Sequence, residues 1–427
     1  MNQQRNPPQD PSVSADQRAD ERIGVVDALR GLALLGMFVV HFIDNFSQPP
    51  TSAVERGIQQ FSRLFLSDRF HTMFAILFGV GFAIQLRRAD ARGQPIVARY
   101  LRRMAALAGF GIVAEIVFGF QILFGYAVWG LVLLPVRRWP SWALLVLALV
   151  CGAARPIYSV ARAAYYTPAI SAQDLVTRDQ AAEAAQRSAP MFKALRSTDW
   201  RAAFSARTQR MRGYYATPIL PPSDLLYFLI GVLALRLGLL EQPNRHKGLL
   251  VGLIVFGVWS WALKMWVLPG FRPGPLPGLG EWYAPTVARD WLRSGFGLIR
   301  VQWLTLTYMG GILLLVARNA SALHRLAPLA WAGRMALTNY MLQIMVLGTL
   351  FWPYALGLHS PLWAAPLCGV GLFAIQALLS RWWLRQYRFG PLEWVWRCIT
   401  YWRVEPIRRT RSLASDNYVV LGREGAG

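Results

Sequence analysis

Charge is what this 427-residue chain has least of: Asp, Glu, Lys and Arg together make up 16%, against roughly 25% in soluble domains. A chain so poor in charge cannot keep its whole surface in water, which excludes an ordinary soluble domain. Lysine is nearly missing too. Lys193, Lys247 and Lys264 are the three present, so arginine supplies almost all of the 45 basic residues, a bias that points to a GC-rich genome and a bacterial source. Acidic side chains number only 22, which leaves a net charge of +23. Cysteine is limited to Cys151, Cys368 and Cys398, an odd, scattered set that suits neither a disulfide framework nor a paired-cysteine zinc motif. No cleavable apolar region opens the chain, so the first hydrophobic segment is expected to stay in the membrane.

What is present is apolar: 55% of residues, with 18 Trp. The apolar residues fall into repeated runs of about 20, the length that crosses a hydrocarbon core of about 30 Å. A nucleic-acid binder can carry the same net charge but not these runs, so nucleic acid is excluded as a partner and membrane lipid takes its place. Spanning helices are predicted at 24–43, 70–87, 104–119, 121–136, 141–156, 223–240, 247–268, 297–317, 327–350 and 361–382. The fold class is therefore all-α, a polytopic transmembrane bundle of about ten spans.

Orientation follows from Lys and Arg in the short loops. Arg88, Arg92, Arg99, Arg102 and Arg103 crowd loop 88–103, and Arg137, Arg138, Arg245, Lys247, Arg318 and Arg325 mark alternate later turns. The intervening turns near 119–121 and 351–360 carry none. Both termini are predicted to be cytoplasmic, in a multi-pass protein of the bacterial inner membrane. The chain divides into a disordered cytoplasmic tail (1–22), N-terminal spans (23–156), an extracytoplasmic loop with surface helices over 178–212 (157–222), C-terminal spans (223–382) and a cytoplasmic basic tail (383–427). A second long external segment covers 269–296. Trp and Arg interleave in PLEWVWRCITYWR from Pro391, the composition of an interfacial helix with rings at headgroup depth and guanidiniums on lipid phosphate.

Ionisable groups inside spans are functional candidates. In VVDALRGLALLGMFVVHFIDNF, Arg30 and His41 are eleven positions apart, so at about 100° per residue they share a face and lie roughly 16 Å apart along the axis. Asp27 is an i, i+3 neighbour of Arg30, and Asp44 of His41. The first pair reads either as helix-end groups at the headgroups or as an ion pair at an inner mouth. Likewise His41 reads as an interfacial histidine or as a general base with Asp44 holding its other ring nitrogen. Asp68 and His71 repeat the spacing at the outer end of the second span. The short spacing is common by chance, so no metal site is predicted. Gly79 and Gly81 read as small residues that let helices approach. In the ninth span, Arg334 is followed by Thr338, Asn339 and Gln343, whose polar groups serve either interhelical hydrogen bonds or a pocket lining; with His71, Asn339 and Gln343 are the candidate lining residues.

Four segments, DALRGLALLGMFVV, FHTMFAILFGVGFAIQLRRA, GRMALTNYMLQ and FGPLEWVWRCITY, together resemble the YeiB-like family of bacterial integral membrane proteins, whose characteristic domain has no known function. The Asp-x-x-Arg-Gly opening is in turn similar to that of transmembrane acyltransferases such as the lysosomal glucosamine N-acetyltransferase and the acyltransferase-3 group. The resemblance implies acyl transfer from cytosolic acyl-CoA to a sugar hydroxyl or amine across the membrane. It places Asp27 and Arg30 in the motif, and His41 stands where the YeiB-like pattern reads Asn and the acyltransferase-3 group has its histidine. On this reading Arg30 and Arg334 hold the donor's phosphates with Asp27 in support, and His41 with Asp44 is catalytic. No cofactor is bound permanently, and the partner is a small-molecule or glycan acceptor. The rival function is a transporter or exporter in which the same polar stripe lines a path and no covalent chemistry occurs.

Overall fold

The computed structural model describes residues 11–46, 50–120, 122–166, 194–195, 197–216, 223–266, 303–319, 321–358 and 361–409. The regular elements among them are helices, with one isolated bridge between Tyr387 and Arg408. In chain order these are α1 Pro11–His41, α2 Ala53–Phe61, α3 Arg69–Ala91, α4 Val97–Val113, α5 Ile122–Val136, α6 Ser141–Tyr166, α7 Trp200–Ala216, α8 Ser223–Arg236, α9 Lys247–Trp266, α10 Trp303–Arg318, α11 Ser321–Arg325, α12 Ala327–Arg334, α13 Ala336–Phe351, α14 Ala365–Gln386 and α15 Pro391–Tyr401. Wide π-helical turns continue α1 at Phe42–Phe46, α2 at Ser62–Leu66 and α4 at Ala114–Phe118. Because α1 and α4 run one way and α3 starts just after the second turn, all three lie at one end of the bundle. This is called the far end below; the opposite end, with loop 88–103, is the arginine end.

Among the described residues, three stretches are long and apolar enough to cross a membrane, Gly24–Asp44, Ala53–Ala91 and Ala365–Gln386, and five shorter apolar helices accompany them. Helices occupy most of each stretch where a span was predicted, although 237–240 and 361–364 are turns or irregular; residues 121, 267–268 and 297–302 lie outside the described residues, as does loop 269–296.

Three expectations change. First, helix α1 begins at Pro11, inside the stretch 1–22 read as a disordered tail; Pro suits a first helical turn and the Ala, Gln, Arg and Glu that follow are good helix formers. Second, the ninth span is not continuous. Helix α12 ends at Arg334, Met335 takes φ −110° and ψ 38°, and α13 starts afresh at Ala336. Third, α7, the described part of the predicted surface helices, is anchored in the bundle: its Arg207 is buried and donates to the Val117 carbonyl at 2.7 Å and the Tyr354 hydroxyl at 2.8 Å. Residues 178–193 lie outside the described residues.

Helix α1 is the hub. It packs on α3, α12, α13 and α14, and Leu29, Ala33, Leu34 and Phe38 are buried on it. In an apolar solvent such contacts draw on close packing rather than on water release, so small residues mark them. A Cβ added to Gly333 would lie 1.8 Å from the carbonyl oxygen of Asp27, and one on Gly31 would lie 1.9 Å from that of Leu329. Helices α3 and α8 meet the same way: a Cβ on Gly79 or on Gly231 would come within 2.0 Å of the Phe228 or Ile76 carbonyl oxygen. Gly79 is thus a close-approach residue, whereas Gly81 has another use, described below.

Backbone cannot yield as a side chain can, so Gly333→Ala is expected to destabilise the purified protein by about 1–3 kcal/mol, the usual scale of overpacking. Gly371→Ala in α14 has open space around it and should be neutral or stabilising by about 0.5–1 kcal/mol, since Gly weakens a helix interior. Thermal melts of the two variants in one detergent check this; equal melting temperatures would contradict the packing.

Candidate active site

Two adjoining cavities occupy the arginine end and middle of the bundle. The outer one, about 630 Å³, lies where α1 begins its apolar stretch and α3 ends. Seven arginines line it, Arg30, Arg87, Arg88, Arg92, Arg99, Arg103 and Arg397, against two acids, Asp27 and Glu241. Asp27 accepts from Arg30 at 2.9 Å, one helical turn apart, and Glu241 pairs with Arg87 across the mouth. Three of the remaining guanidiniums rest on rings: Arg103 lies 3.6 Å above Trp396, Arg397 4.3 Å above Phe389 and Arg99 5.2 Å above Tyr401. Aromatic faces orient a cation without neutralising it. The cavity keeps a strong excess of positive charge and is suited to a ligand with several negative charges.

The inner cavity, about 260 Å³, shares Arg30, Gly81, Gln85, Tyr100, Arg103 and Arg397 with the outer one. Its walls turn apolar, with Phe74, Leu77, Phe78, Met104, Leu107 and Leu123, and Arg334, Tyr126 and Tyr340 complete it. Phe74 and Gln85 both line it; eleven residues of helix make it about 16 Å deep along α3. A Cβ on Gly81 would stand 3.5 Å from Arg30 Nη2. This glycine gives the guanidinium room between the cavities rather than bringing two helices together.

Helix α15 closes the floor. It packs on α4 and α13, and Trp396 donates from its indole nitrogen to the Arg103 carbonyl at 2.9 Å. Glu393 caps the broken helix: its Oε1 accepts from the amides of Leu337 at 2.6 Å and Thr338 at 3.1 Å, and its Oε2 from the Thr338 hydroxyl. The N–H groups freed by the break at Met335 therefore find a carboxylate from another helix instead of a local cap. Burial pushes the Glu393 carboxyl above its usual range, a rise that its Thr338 and backbone donors oppose. The tail segment predicted to lie on the bilayer is thus in part an inward-packed element, because Trp396 and Arg397 face the cavities. The exposed Trp402 keeps the interfacial character.

The structure brings Asp27, Arg30 and Arg334 together on the cavity walls. It sends the other predicted residues elsewhere. Asn339 donates to the Ala332 carbonyl at 2.9 Å and to Ser380 at 3.0 Å, and Gln343 donates to Gln376 at 2.9 Å. Both amides are buried between α13 and α14 and line neither cavity, since an interhelical partner satisfies them where a cavity would leave them in apolar surroundings. His41 closes α1 at the far end, its ring edge-on to Phe120 with centroids 4.9 Å apart. Asp44 accepts from Ser67 at 3.1 Å, because the π-turn after His41 swings it toward the loop before α3. His71 stands 3.6 Å from Asp224 of α8, and its predicted neighbour Asp68 instead sits at the head of α3 with φ 65°. His71 lines neither cavity but adjoins the inner one through Tyr126, whose ring stacks on it at 5.9 Å and whose hydroxyl donates to its carbonyl at 3.2 Å. Among the described residues, no three His, Cys, Asp or Glu cluster as metal ligands would.

Tyr100, Tyr126, Tyr340, Arg103, Glu393 and Arg397 escaped the sequence reading as site residues. For Tyr100, Arg103, Glu393 and Arg397 the signal lay in loop 88–103 and in FGPLEWVWRCITY, which were not read as site segments, whereas Tyr126 and Tyr340 sit within apolar spans.

Comparison with known proteins fits this picture. Residues 22–182 match the family described as heparan-alpha-glucosaminide N-acetyltransferase, catalytic, and residues 281–403 match the family described as protein of unknown function (DUF418). The chain is 28% identical over 398 residues to an uncharacterized 39.9 kDa protein in the amylase 3' region of Bacillus acidopullulyticus, covering 91% of this chain and 96% of that one. It is 28% identical over 417 residues to the uncharacterized protein YxaH of Bacillus subtilis strain 168, covering 91% and 97%. A 72-residue stretch, 17% of this chain and 19% of the relative, is 40% identical to the uncharacterized protein YeiB of Escherichia coli K12. No solved structure matches. The comparisons thereby bear out the resemblance to YeiB-like proteins and, more distantly, to transmembrane acyltransferases. Among the described residues the protein is helical, with helices long and apolar enough to cross a membrane, and its N-terminal part is similar to an acetyltransferase family.

Removing the cap from α13 leaves two amides and a hydroxyl short of a partner, at about 1–3 kcal/mol for a buried unpaired group. Glu393→Ala should therefore lower the melting temperature clearly, and Glu393→Gln, which keeps an acceptor oxygen, should lower it less. If both variants melt with the wild type, Glu393 does not hold the break.

Proposed function

We propose that the chain is a transmembrane acyltransferase that takes an acyl group from cytosolic acyl-CoA and transfers it to a hydroxyl or amine of an acceptor in or beyond the membrane. One observation carries the reading: a cavity lined by seven arginines opens into an apolar chamber about 16 Å deep. A ligand with phosphates at one end, a long uncharged arm and a reactive carbonyl at its tip matches that succession of surfaces, and an acyl-CoA has this form. The match of residues 22–182 to an N-acetyltransferase catalytic family supports it.

In the proposed reaction Arg30 and Arg334 pair with donor phosphate, and Asp27 fixes the Arg30 rotamer from one turn away. His41 serves as base on the far side, where the acceptor enters past Tyr126 and His71. The carbonyl carbon bonds to the acceptor, the carbon–sulfur bond breaks, and the acceptor's proton ends on the coenzyme A thiol. The proposal includes ten spans in a bacterial inner membrane with both termini cytoplasmic, so that loop 88–103 and the arginine cavity face the cytosol.

Topology has its own check: Gly93→Cys and Ala355→Cys should react with a membrane-impermeant thiol reagent from opposite sides. Labelling of both from one side overturns the ten-span arrangement.

Function is read by calorimetry on purified protein. Coenzyme A should bind, and Arg30→Ala should weaken it about tenfold or more, since charged hydrogen bonds contribute about 1.5–3 kcal/mol. His41→Asn should bind normally but turn over about 10²-fold more slowly, the usual contribution of a positioned acid or base. Absence of binding at about 1 mM, which corresponds to about −4.1 kcal/mol, overturns the acyltransferase reading, and transport lost in both variants would then favour the exporter.

A further inference from the structure

The inner chamber holds three tyrosines in its walls, and their hydroxyls are not equivalent. Tyr100 donates to the Gly130 carbonyl at 2.9 Å, and Tyr126 donates to the His71 carbonyl at 3.2 Å. The hydroxyl of Tyr340 has no hydrogen-bond partner, although the residue is only 2% exposed. A buried hydroxyl left without a partner is destabilising, and in a native structure it calls for an explanation.

Other polar groups of the chamber are engaged near its mouth. Gln85 donates to the Gly81 carbonyl at 2.9 Å, Trp396 to that of Arg103, and Glu393 holds the start of α13. Beyond them the walls are aromatic and aliphatic as far as Tyr126 and Tyr340. Tyr340 lies one turn, about 6 Å, beyond Ala336 where α13 begins. A ligand anchored by its phosphates on the arginines and extended inward would therefore reach Tyr340, whose hydroxyl is an uncommitted donor.

Resting on the acyl-transfer reading, we propose that Tyr340 is a catalytic residue whose hydroxyl donates a hydrogen bond to the carbonyl oxygen of the donor thioester. The ligand group it selects is a neutral carbonyl acceptor at the tip of the anionic donor. When the acceptor attacks the carbonyl carbon, negative charge builds on that oxygen, and a donor already aimed at it in apolar surroundings stabilises the charge without reorganisation. Tyr126 cannot share the task, because its hydrogen is committed to His71.

The test compares acetyl-CoA with free coenzyme A on the full-length protein in detergent. Wild type should bind acetyl-CoA several-fold more tightly than coenzyme A. Tyr340→Phe should bind coenzyme A as wild type does and lose that preference. With acetyl-CoA carrying 13C at the carbonyl, the infrared stretch of the bound ligand should rise in frequency in Tyr340→Phe, a shift that a merely structural role would not produce. Replacement of Tyr340 by 3,5-difluorotyrosine keeps the ring shape and strengthens the donor, so it should increase the preference and lower the carbonyl frequency; this variant decides the matter if Tyr340→Phe does not fold. An unchanged preference and carbonyl band in the variants would overturn the role of Tyr340 and leave acyl transfer standing. Failure of the wild type to bind either ligand would overturn both.

Discussion

The backbone contact between α1 and α12 is the constraint on which the rest depends. Gly31 and Gly333 bring the two helices so close that a single added carbon would overlap a carbonyl oxygen. That approach sets Asp27, Arg30 and Arg334 around one opening, because each lies within one turn of the contact. Next to this contact, α12 ends at Arg334 and the chain restarts as α13 with its first amides aimed at Glu393. The site is thus built from the ends of helices, where charge and free donors are available, rather than from their apolar middles.

Helix α15 turns this frame into an enclosure. Its aromatic side chains meet arginines of α4 in ring–guanidinium contacts, which keep positive charge at the cavity surface while holding it in place. Carboxylates in the same positions would have neutralised the arginines and removed the excess of positive charge that the proposed anionic donor needs. Function and packing are therefore served by one choice of residue type.

Much of this was legible in the sequence, for identifiable reasons. Apolar run length marked the helices, and the eleven-residue spacing of Arg30 and His41 placed them toward opposite ends of the first apolar span. The pairing of Asp27 with Arg30 followed from i, i+3 geometry and is present at 2.9 Å. Contacts between residues distant in sequence were not legible. Asp224 beside His71, Ser67 under Asp44, and Gln376 and Ser380 taking up the amides of Gln343 and Asn339 are set by helix packing, which local spacing does not encode. The same limit concealed Glu393, whose service to α13 spans 56 residues, and Tyr340, whose significance lies in having no hydrogen-bond partner.

The central claim is that the arginine cavity and the apolar chamber behind it receive one anionic, acyl-bearing ligand. Photolabelling with a coenzyme A thioester that carries a diazirine in its acyl group tests this most directly. The account predicts that the acyl end crosslinks within α3, α4, α5 and α13, on chamber walls such as Phe78, Leu107, Leu123 and Tyr340, and that excess unlabelled acetyl-CoA prevents it. Crosslinks confined to the lipid-facing surfaces of α9 or α14, undiminished by acetyl-CoA, would contradict it.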